Sequence, residues 1–263
     1  MALTNPLSSF IIVGCGKLGT LVGSLSQANP VAETLTTRTH PELTQLGLIP
    51  RIKSQTGRFD HVLFAVPPSN KEDYLKEIRR ALTLWSHAGA FVFISSTAVY
   101  REDSGKTVTE SSALADSPRA QLLIEGEKWV LAEKGTVLRL AGLYHRTSGP
   151  HIYYSQLAES PLRGDGLINL IHYEDAASLT LKLFHTRYPE QVFLGSDNSP
   201  ICRNELVQIS QTFLKQNTPL CRFLGSEGPL GKKVNNDFTR KQLDWSPTYS
   251  SFQDFARTVA SIH

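Results

Sequence analysis

Short, wholly apolar runs alternate along this chain with segments whose apolar residues recur every three or four positions. Phe10–Val13 reads FIIV and predicts a buried strand. From Lys17 to Ala28, Leu18, Leu21, Val22 and Leu25 then share one helical face. ETLTTR, from Glu33 to Arg38, is a β-prone run. HVLFAV (His61–Val66) predicts a further strand, stopped by Pro67 and Pro68. Ser69 or Asn70 can cap the next helix, where Tyr74, Leu75, Ile78, Leu82 and Trp85 form a core stripe. AFVFISS (Ala90–Ser96) is again a strand of the buried kind.

Ser117 and Pro118 read as N-cap and first-turn proline of another helix, and Gly135 as its stop. TVLRLAGLY (Thr136–Tyr144) predicts the next strand. Strand–helix alternation repeated this often predicts an α/β fold built on a doubly wound parallel sheet. Residues 1–145 are expected to form the main domain. Residues 146–263 form a mixed region, of which about 167–196 (LINLIHYEDAASLTLKLF and QVFLGS) completes the sheet. Helices near Asn204–Gln216 and Ser251–Ile262 are expected to build a small interleaved C-terminal cap that defines a substrate site.

Composition narrows the classes. The 263 residues carry a net charge of only +3, with Lys and Arg dispersed, so neither a nucleic-acid nor a membrane surface is implied. Cys15, Cys202 and Cys221 are few, odd in number and far apart, which suggests neither a disulfide framework nor a zinc site. No metal is expected. The first ten residues lack a basic stretch followed by a long apolar core, and a reducing, cytoplasmic compartment is the expectation.

The chemistry begins at GCGKLG. Gly14, Gly16 and Gly19 make G-x-G-x-x-G directly after an apolar strand and at the opening of an amphipathic helix. In a dinucleotide-binding (Rossmann) fold the first glycine permits the tight turn. The second removes a Cβ that would block a pyrophosphate, and the third lets helix and strand pack closely. Cys15, Lys17 and Leu18 complete the loop whose amides would face phosphate charge, and Val66 and Pro67, ending a neighbouring strand, join them. The simpler alternative is a merely glycine-rich turn. NAD selectivity usually needs an acid about 20 residues past the glycines. Here that stretch reads Thr36-Thr37-Arg38-Thr39, and the one nearby acid, Glu33, comes early. Thr37 and Arg38 suit a 2′-phosphate, so NADP is the expected cofactor, with NAD as the alternative.

GCGKLG, ISSTAVY, LRLAGLY and NLIHYEDAA, in this order, resemble the extended short-chain dehydrogenase/reductases. More narrowly the chain is similar to their atypical NAD-dependent epimerase/dehydratase-like branch (the YeeZ-like proteins), as is its closing GKKVNND…LDWSPTYSSFQDF. The resemblance implies that Ser96, four residues before Tyr100, is the catalytic Ser/Thr, with Ser95 or Thr97 sharing the role in holding a substrate oxygen. A Ser/Thr cluster satisfying backbone groups at a strand end is the structural alternative. Family members also carry Tyr-x-x-x-Lys on the following helix. Aligned on Glu127, those positions hold Arg119 and Leu123, which cannot relay a proton.

Arg119 is therefore a candidate for binding an anionic substrate group, or a surface arginine, and Leu123 is packing. Tyr144 is a candidate acid and His145 a candidate substrate-binding residue at the end of LRLAGLY. A strand-end tyrosine is otherwise a core-edge residue. Arg139 would reach a phosphate or ribose, or pair with an acid. Asp175 is expected to cap the helix beginning AASL, leaving His172 structural. Two functions follow. One is an NAD(P)-dependent oxidoreductase or epimerase acting on a carbonyl-bearing or nucleotide-sugar-like small molecule. The other is a non-catalytic NADP(H)-binding or redox-sensing protein. The resemblance also implies a homodimer.

Overall fold

The computed structural model describes residues 7, 9–33, 40–53, 56–214 and 220–261. Its first elements are β1 (Phe10–Val13), β2 (Val31–Glu33), β3 (Ile49–Pro50), β4 (His61–Phe64) and β5 (Phe91–Ser96). Between them lie α1 (Lys17–Leu25), α2 (His40–Gln45) and α3 (Lys71–Thr83). The chain continues through β6 (Ser104–Val108), α4 (Pro118–Ala132), β7 (Thr136–Leu140), β8 (Gly142–Tyr144), α5 (Pro150–Ser155) and β9 (Glu159–Arg163). Then come β10 (Leu167–Ile168), β11 (Leu170–His172), α6 (Tyr173–Thr186) and β12 (Val192–Gly195).

Seven of these strands form one sheet in the order β12-β7-β5-β4-β1-β2-β3, a Rossmann-like α/β arrangement flanked by helices. Val13 of β1 lies opposite Glu33 on one side and Phe64 on the other, both in parallel register. Every residue of β1, β4 and β7 is buried, which is why these strands read as continuous runs rather than alternating ones. Asn70 caps α3, its side-chain oxygen accepting from the Asp73 amide at 3.0 Å, and Tyr74, Leu75, Ile78 and Ala81 form the buried face.

Three boundaries differ from the sequence pattern. The second strand starts at Val31, so only Glu33 of ETLTTR belongs to it, and residues 34–39 lie outside the described residues. TVLRLAGLY is two strands, not one. β7 stays in the sheet, whereas β8 pairs with β11, Tyr144 opposite His172, and Gly142 sits where a Cβ would stand 3.1 Å from the Asn169 carbonyl. The end of α4 uses Lys134, not Gly135, as its left-handed residue (φ 65°). The Lys134 amide bonds Leu131 and the Gly135 amide bonds Val130, the two bonds of a Schellman turn. Gly135 answers a steric demand instead, since a Cβ there would lie 2.6 Å from Val130 Cγ1.

By contacts the chain divides into two compact units. The first comprises Met1–Val99, Asp116–Arg139 and Ala176–Phe193, and the second Tyr100–Ala115, Leu140–Asp175 and Leu194–His263. The second adds β13 (Ile201–Cys202), α7 (Arg203–Leu214), β14 (Arg222–Gly225), β15 (Gly231–Val234), α8 (Asp237–Leu243) and α9 (Phe252–Ser261). It holds short strand pairs, β6 with β15 and β9 with β14, and an aromatic core in which Tyr144, Tyr154, Phe252 and Phe255 are buried. Among the described residues no helix is long and apolar enough to cross a membrane.

Candidate functional site

The glycine loop follows β1 directly. Gly14 has φ +92°, and a Cβ on it would stand 2.6 Å from the Val66 amide nitrogen, so glycine is demanded by backbone conformation and by the strand end beside it. A Cβ on Gly19 would meet Ile12 at 2.9 Å and the Gly14 carbonyl at 3.0 Å; this glycine sets how closely helix and strand pack. Gly16 differs from both. Its φ is an ordinary −81°, and a Cβ built on it would find nothing within 4 Å.

The protein's own packing therefore does not require glycine at position 16, and the space beside that backbone is open. Gly16 is also the N-cap of α1, which has no side-chain cap and no acidic residue in its first turn. The first-turn amides, Lys17 and Leu18 among them, keep the partial positive charge of a helix start uncompensated by a side chain. Lys17 is exposed; Leu18 and Cys15 are buried, with Cys15 Sγ 3.6 Å from Thr20 Oγ1. Val66 is buried and Pro67 exposed. The structure thus brings Gly14, Cys15, Gly16, Lys17, Leu18 and Gly19 against the strand end carrying Val66 and Pro67. This geometry fits the pyrophosphate of a dinucleotide.

At the end of β2, the Glu33 carbonyl accepts from the Gly14 and Cys15 amides at 3.1 and 3.0 Å. The Glu33 side chain is 1% exposed and pairs with Arg51 at 3.4 Å and with Arg80, which also binds Glu77 at 2.6 Å. Glu77 and Arg80 are three residues apart on α3, but Glu33 and Arg51 are distant from them in the chain, so no local spacing signalled the network as a whole. Thr37 and Arg38, the expected 2′-phosphate residues, lie outside the described residues.

Beneath the end of β5, Ser95 is buried and donates to Glu127 Oε1 at 2.5 Å. Arg139 holds both oxygens of that carboxylate, Nε to Oε1 at 3.0 Å and Nη2 to Oε2 at 2.7 Å. Arg139 therefore pairs with an acid rather than reaching a ligand, and Ser95 is taken up by the same acid. Burial, with Glu127 nearby, raises the phenol pKa of Tyr74, whose buried hydroxyl has no partner among the described residues. Ser96 is half-buried, and its hydroxyl oxygen accepts from the Ala98 amide at 3.1 Å, leaving its own proton free to donate. Thr97, also half-buried, opens the 3-10 turn Thr97–Val99. Arg119 is exposed in the first turn of α4 and forms no ion pair among the described residues, while Leu123 is 2% exposed.

In the second unit, Tyr144 is fully buried, edge-on to His172, Phe252 and Phe255, and its hydroxyl has no partner among the described residues. Burial first, then Asp197 and Asp175, push its pKa well above the ordinary phenol range. His145 is exposed, its ring 5.7 Å from that of buried His172. Burial pulls the pKa of His172 down to about 4. Asp175 does not cap its own helix, which begins two residues earlier. Its carboxylate accepts instead from the amides of Thr248 (2.6 Å) and Tyr249 (3.2 Å), fixing a distant turn. Burial lifts Asp197 to about 7; its Oδ1 accepts from Ser199, and Oδ2 has no partner among the described residues. No group of three or more His, Cys, Asp or Glu among the described residues is placed to hold a metal ion.

No protein-family model matches the chain, and no curated protein matches it. Solved structures share its fold over nearly its whole length. The dTDP-glucose 4,6-dehydratase of Bacillus anthracis, in complex with NAD, is 14% identical with a TM-score of 0.77, over 97% of this chain and 96% of that one. The UDP-glucose 4-epimerase of Thermotoga maritima, with UDP-glucose, is 12% identical with a TM-score of 0.77, over 96% and 97%. The UDP-N-acetylglucosamine 4-epimerase of Methanobrevibacter ruminantium, in complex with UDP-N-acetylmuramic acid, is 14% identical with a TM-score of 0.79, over 98% of each chain. The chain has the fold of NAD-dependent epimerase/dehydratase structures, as its motifs led us to expect.

Proposed function

We propose that the chain binds a pyridine dinucleotide on its Gly14–Gly19 loop and is an oxidoreductase- or epimerase-like enzyme. Its substrate would be a carbonyl-bearing or nucleotide-sugar-like small molecule. Gly16 carries the reading. Gly14 and Gly19 are explained by the protein's own atoms, but Gly16 faces open space at an uncapped helix start, where a phosphate is the missing neighbour. A bound nicotinamide would supply hydride chemistry; the chain's part is to bind and orient.

Ser96 would hold a substrate oxygen with the proton its hydroxyl keeps free, and Thr97 adjoins it. Arg119 sits in the first turn of α4, where the helix dipole gives a cation no support, and an anionic substrate group would give it a partner. His145 is the candidate substrate-binding residue of the second unit. Tyr144 is the candidate acid by its place at the end of β8; its hydroxyl is buried among His172, Phe252 and Phe255, and water is the alternative proton carrier. NADP is favoured over NAD because Glu33, the acid ending β2, is spent on Arg51 and Arg80 and residues 34–39 contain no other acid.

The test is a thermal-shift series with NAD, NADP and their reduced forms. NADP or NADPH is expected to raise Tm most, and Gly16→Ala to remove the rise. Reduced-nicotinamide absorbance with a panel of carbonyl compounds and nucleotide sugars then reads turnover, which Ser96→Ala should remove while leaving the shift intact. If no pyridine dinucleotide raises Tm, the reading fails. A shift without turnover favours a non-catalytic NADP(H)-binding protein, for which Arg119 and Leu123 in place of Tyr and Lys are the supporting observation.

A further inference from the structure

The first unit contains a cavity of about 460 Å³ that the glycine loop does not touch. Its lining includes Phe91 and Thr136, the first residues of β5 and β7. The glycine loop follows the last residue of β1. In a parallel sheet these are opposite edges, so the cavity is separate from the dinucleotide site. Trp85 and Phe91 form a buried apolar wall, their rings 5.8 Å apart, and the Trp85 indole nitrogen is anchored to the Asp60 carbonyl at 3.0 Å.

Three exposed basic side chains line the cavity with this wall: His87, whose ring packs 4.1 Å from that of Trp85, Lys134 and Arg187. All three have left-handed backbones, with φ of 64°, 65° and 50°. Such a backbone is strained for an L-residue and is ordinarily given to glycine or asparagine. Arg187 directly follows α6 and Lys134 stands two residues past the end of α4, where a cation also suits the helix dipole. That accounts for their sign but not for their convergence on one apolar hollow. Among the described residues none of the three forms an ion pair, not even with the sequence neighbours Glu133 and Glu190.

We propose that this cavity is a second ligand site, for a small planar aromatic anion whose ring packs on the exposed His87 ring, itself seated on Trp85, and whose charge meets Lys134 and Arg187. Its volume falls in the range of small-molecule pockets, and a flat ring with one charged end matches an apolar wall with a basic rim.

The probe is 2-naphthoate, with 2-naphthamide and inorganic phosphate as the uncharged and ring-free controls, followed through the Trp85 indole resonance in ¹⁵N-labelled protein. We expect 2-naphthoate to move that resonance and bind at least tenfold more tightly than either control. Lys134→Gly/Arg187→Gly should weaken it by tenfold or more while Tm holds or rises, because glycine relaxes both left-handed positions. Lys134→Asn/Arg187→Asn repeats the loss with side chains that tolerate the same backbone. Gly16→Ala should leave naphthoate binding unchanged, which separates this site from the dinucleotide reading. The proposal is overturned if the indole does not respond at millimolar 2-naphthoate, if the amide or phosphate binds equally well, or if the double variants bind as wild type does.

Discussion

Arg139 clasps Glu127 with two hydrogen bonds, 3.0 Å from Nε to Oε1 and 2.7 Å from Nη2 to Oε2, in a place where both side chains are at most 5% exposed. Ser95 donates to the same carboxylate, so a charge that would be costly alone is enclosed by three donors. This pair ties α4 to β5 and β7 below Ser96. It gives the strand end that carries the candidate serine a fixed support.

Removing one partner should be worse than removing both. Arg139→Met strands the Glu127 charge and is expected to cost about 3–5 kcal/mol, whereas Glu127→Met/Arg139→Met should cost clearly less. Urea unfolding of the two variants beside wild type decides it. Equal costs would mean that the pair is not desolvated as the structure has it.

The three glycines of the loop should separate by mechanism. Gly14→Ala places a Cβ 2.6 Å from the Val66 nitrogen on a backbone at φ +92°, and the variant should unfold or lose several degrees of Tm without any ligand. Gly16→Ala should change unliganded stability by about 1 kcal/mol or less, the difference between glycine and alanine at an N-cap. A large loss of unliganded Tm for Gly16→Ala would show that some packing role explains this glycine after all.

Stability should respond to pH through buried groups of opposite sign. His172 and His151 are both pulled down to about 4 by burial, from an ordinary 6.5. They are neutral when folded and take up protons on unfolding, so the stability they give is lost as pH falls from about 6.5 to about 4. Asp197 is lifted from 3.8 to about 7, so it holds a proton on folding and its contribution is lost as pH rises from about 4 through about 7. Asp197→Asn should therefore gain stability relative to wild type at pH 8 compared with pH 5. Urea midpoints at the two values measure this; a gain that does not grow with pH speaks against a protonated Asp197.

Asp175 should matter through the turn it holds rather than through its helix. Asp175→Ala strips the acceptors from the Thr248 and Tyr249 amides and is expected to cost about 2–3 kcal/mol. Faster proteolysis between residues 245 and 251 should accompany the loss. Cleavage at the wild-type rate would place the anchor elsewhere.

The sequence by itself determined the sheet. Runs such as FIIV and HVLFAV suit strands buried on both faces of a covered parallel sheet, and the order strand, GCGKLG, helix points to where a phosphate would sit. It also marked the local signals, Ser117 as one helix cap and Ser69 or Asn70 as another, of which the structure uses Asn70, because capping is decided within four residues. What needed the tertiary structure was every assignment made between residues distant in the chain. Arg139 and Ser95 read equally well as ligand contacts until Glu127 was seen to take both. Glu33 looked merely early until Arg51 and Arg80 closed over it, and Asp175 looked like a helix cap until the turn at Thr248 reached it. A side chain's local pattern sets which element it belongs to. Which charge or amide it meets depends on chain separations of tens of residues, and only folding brings those together.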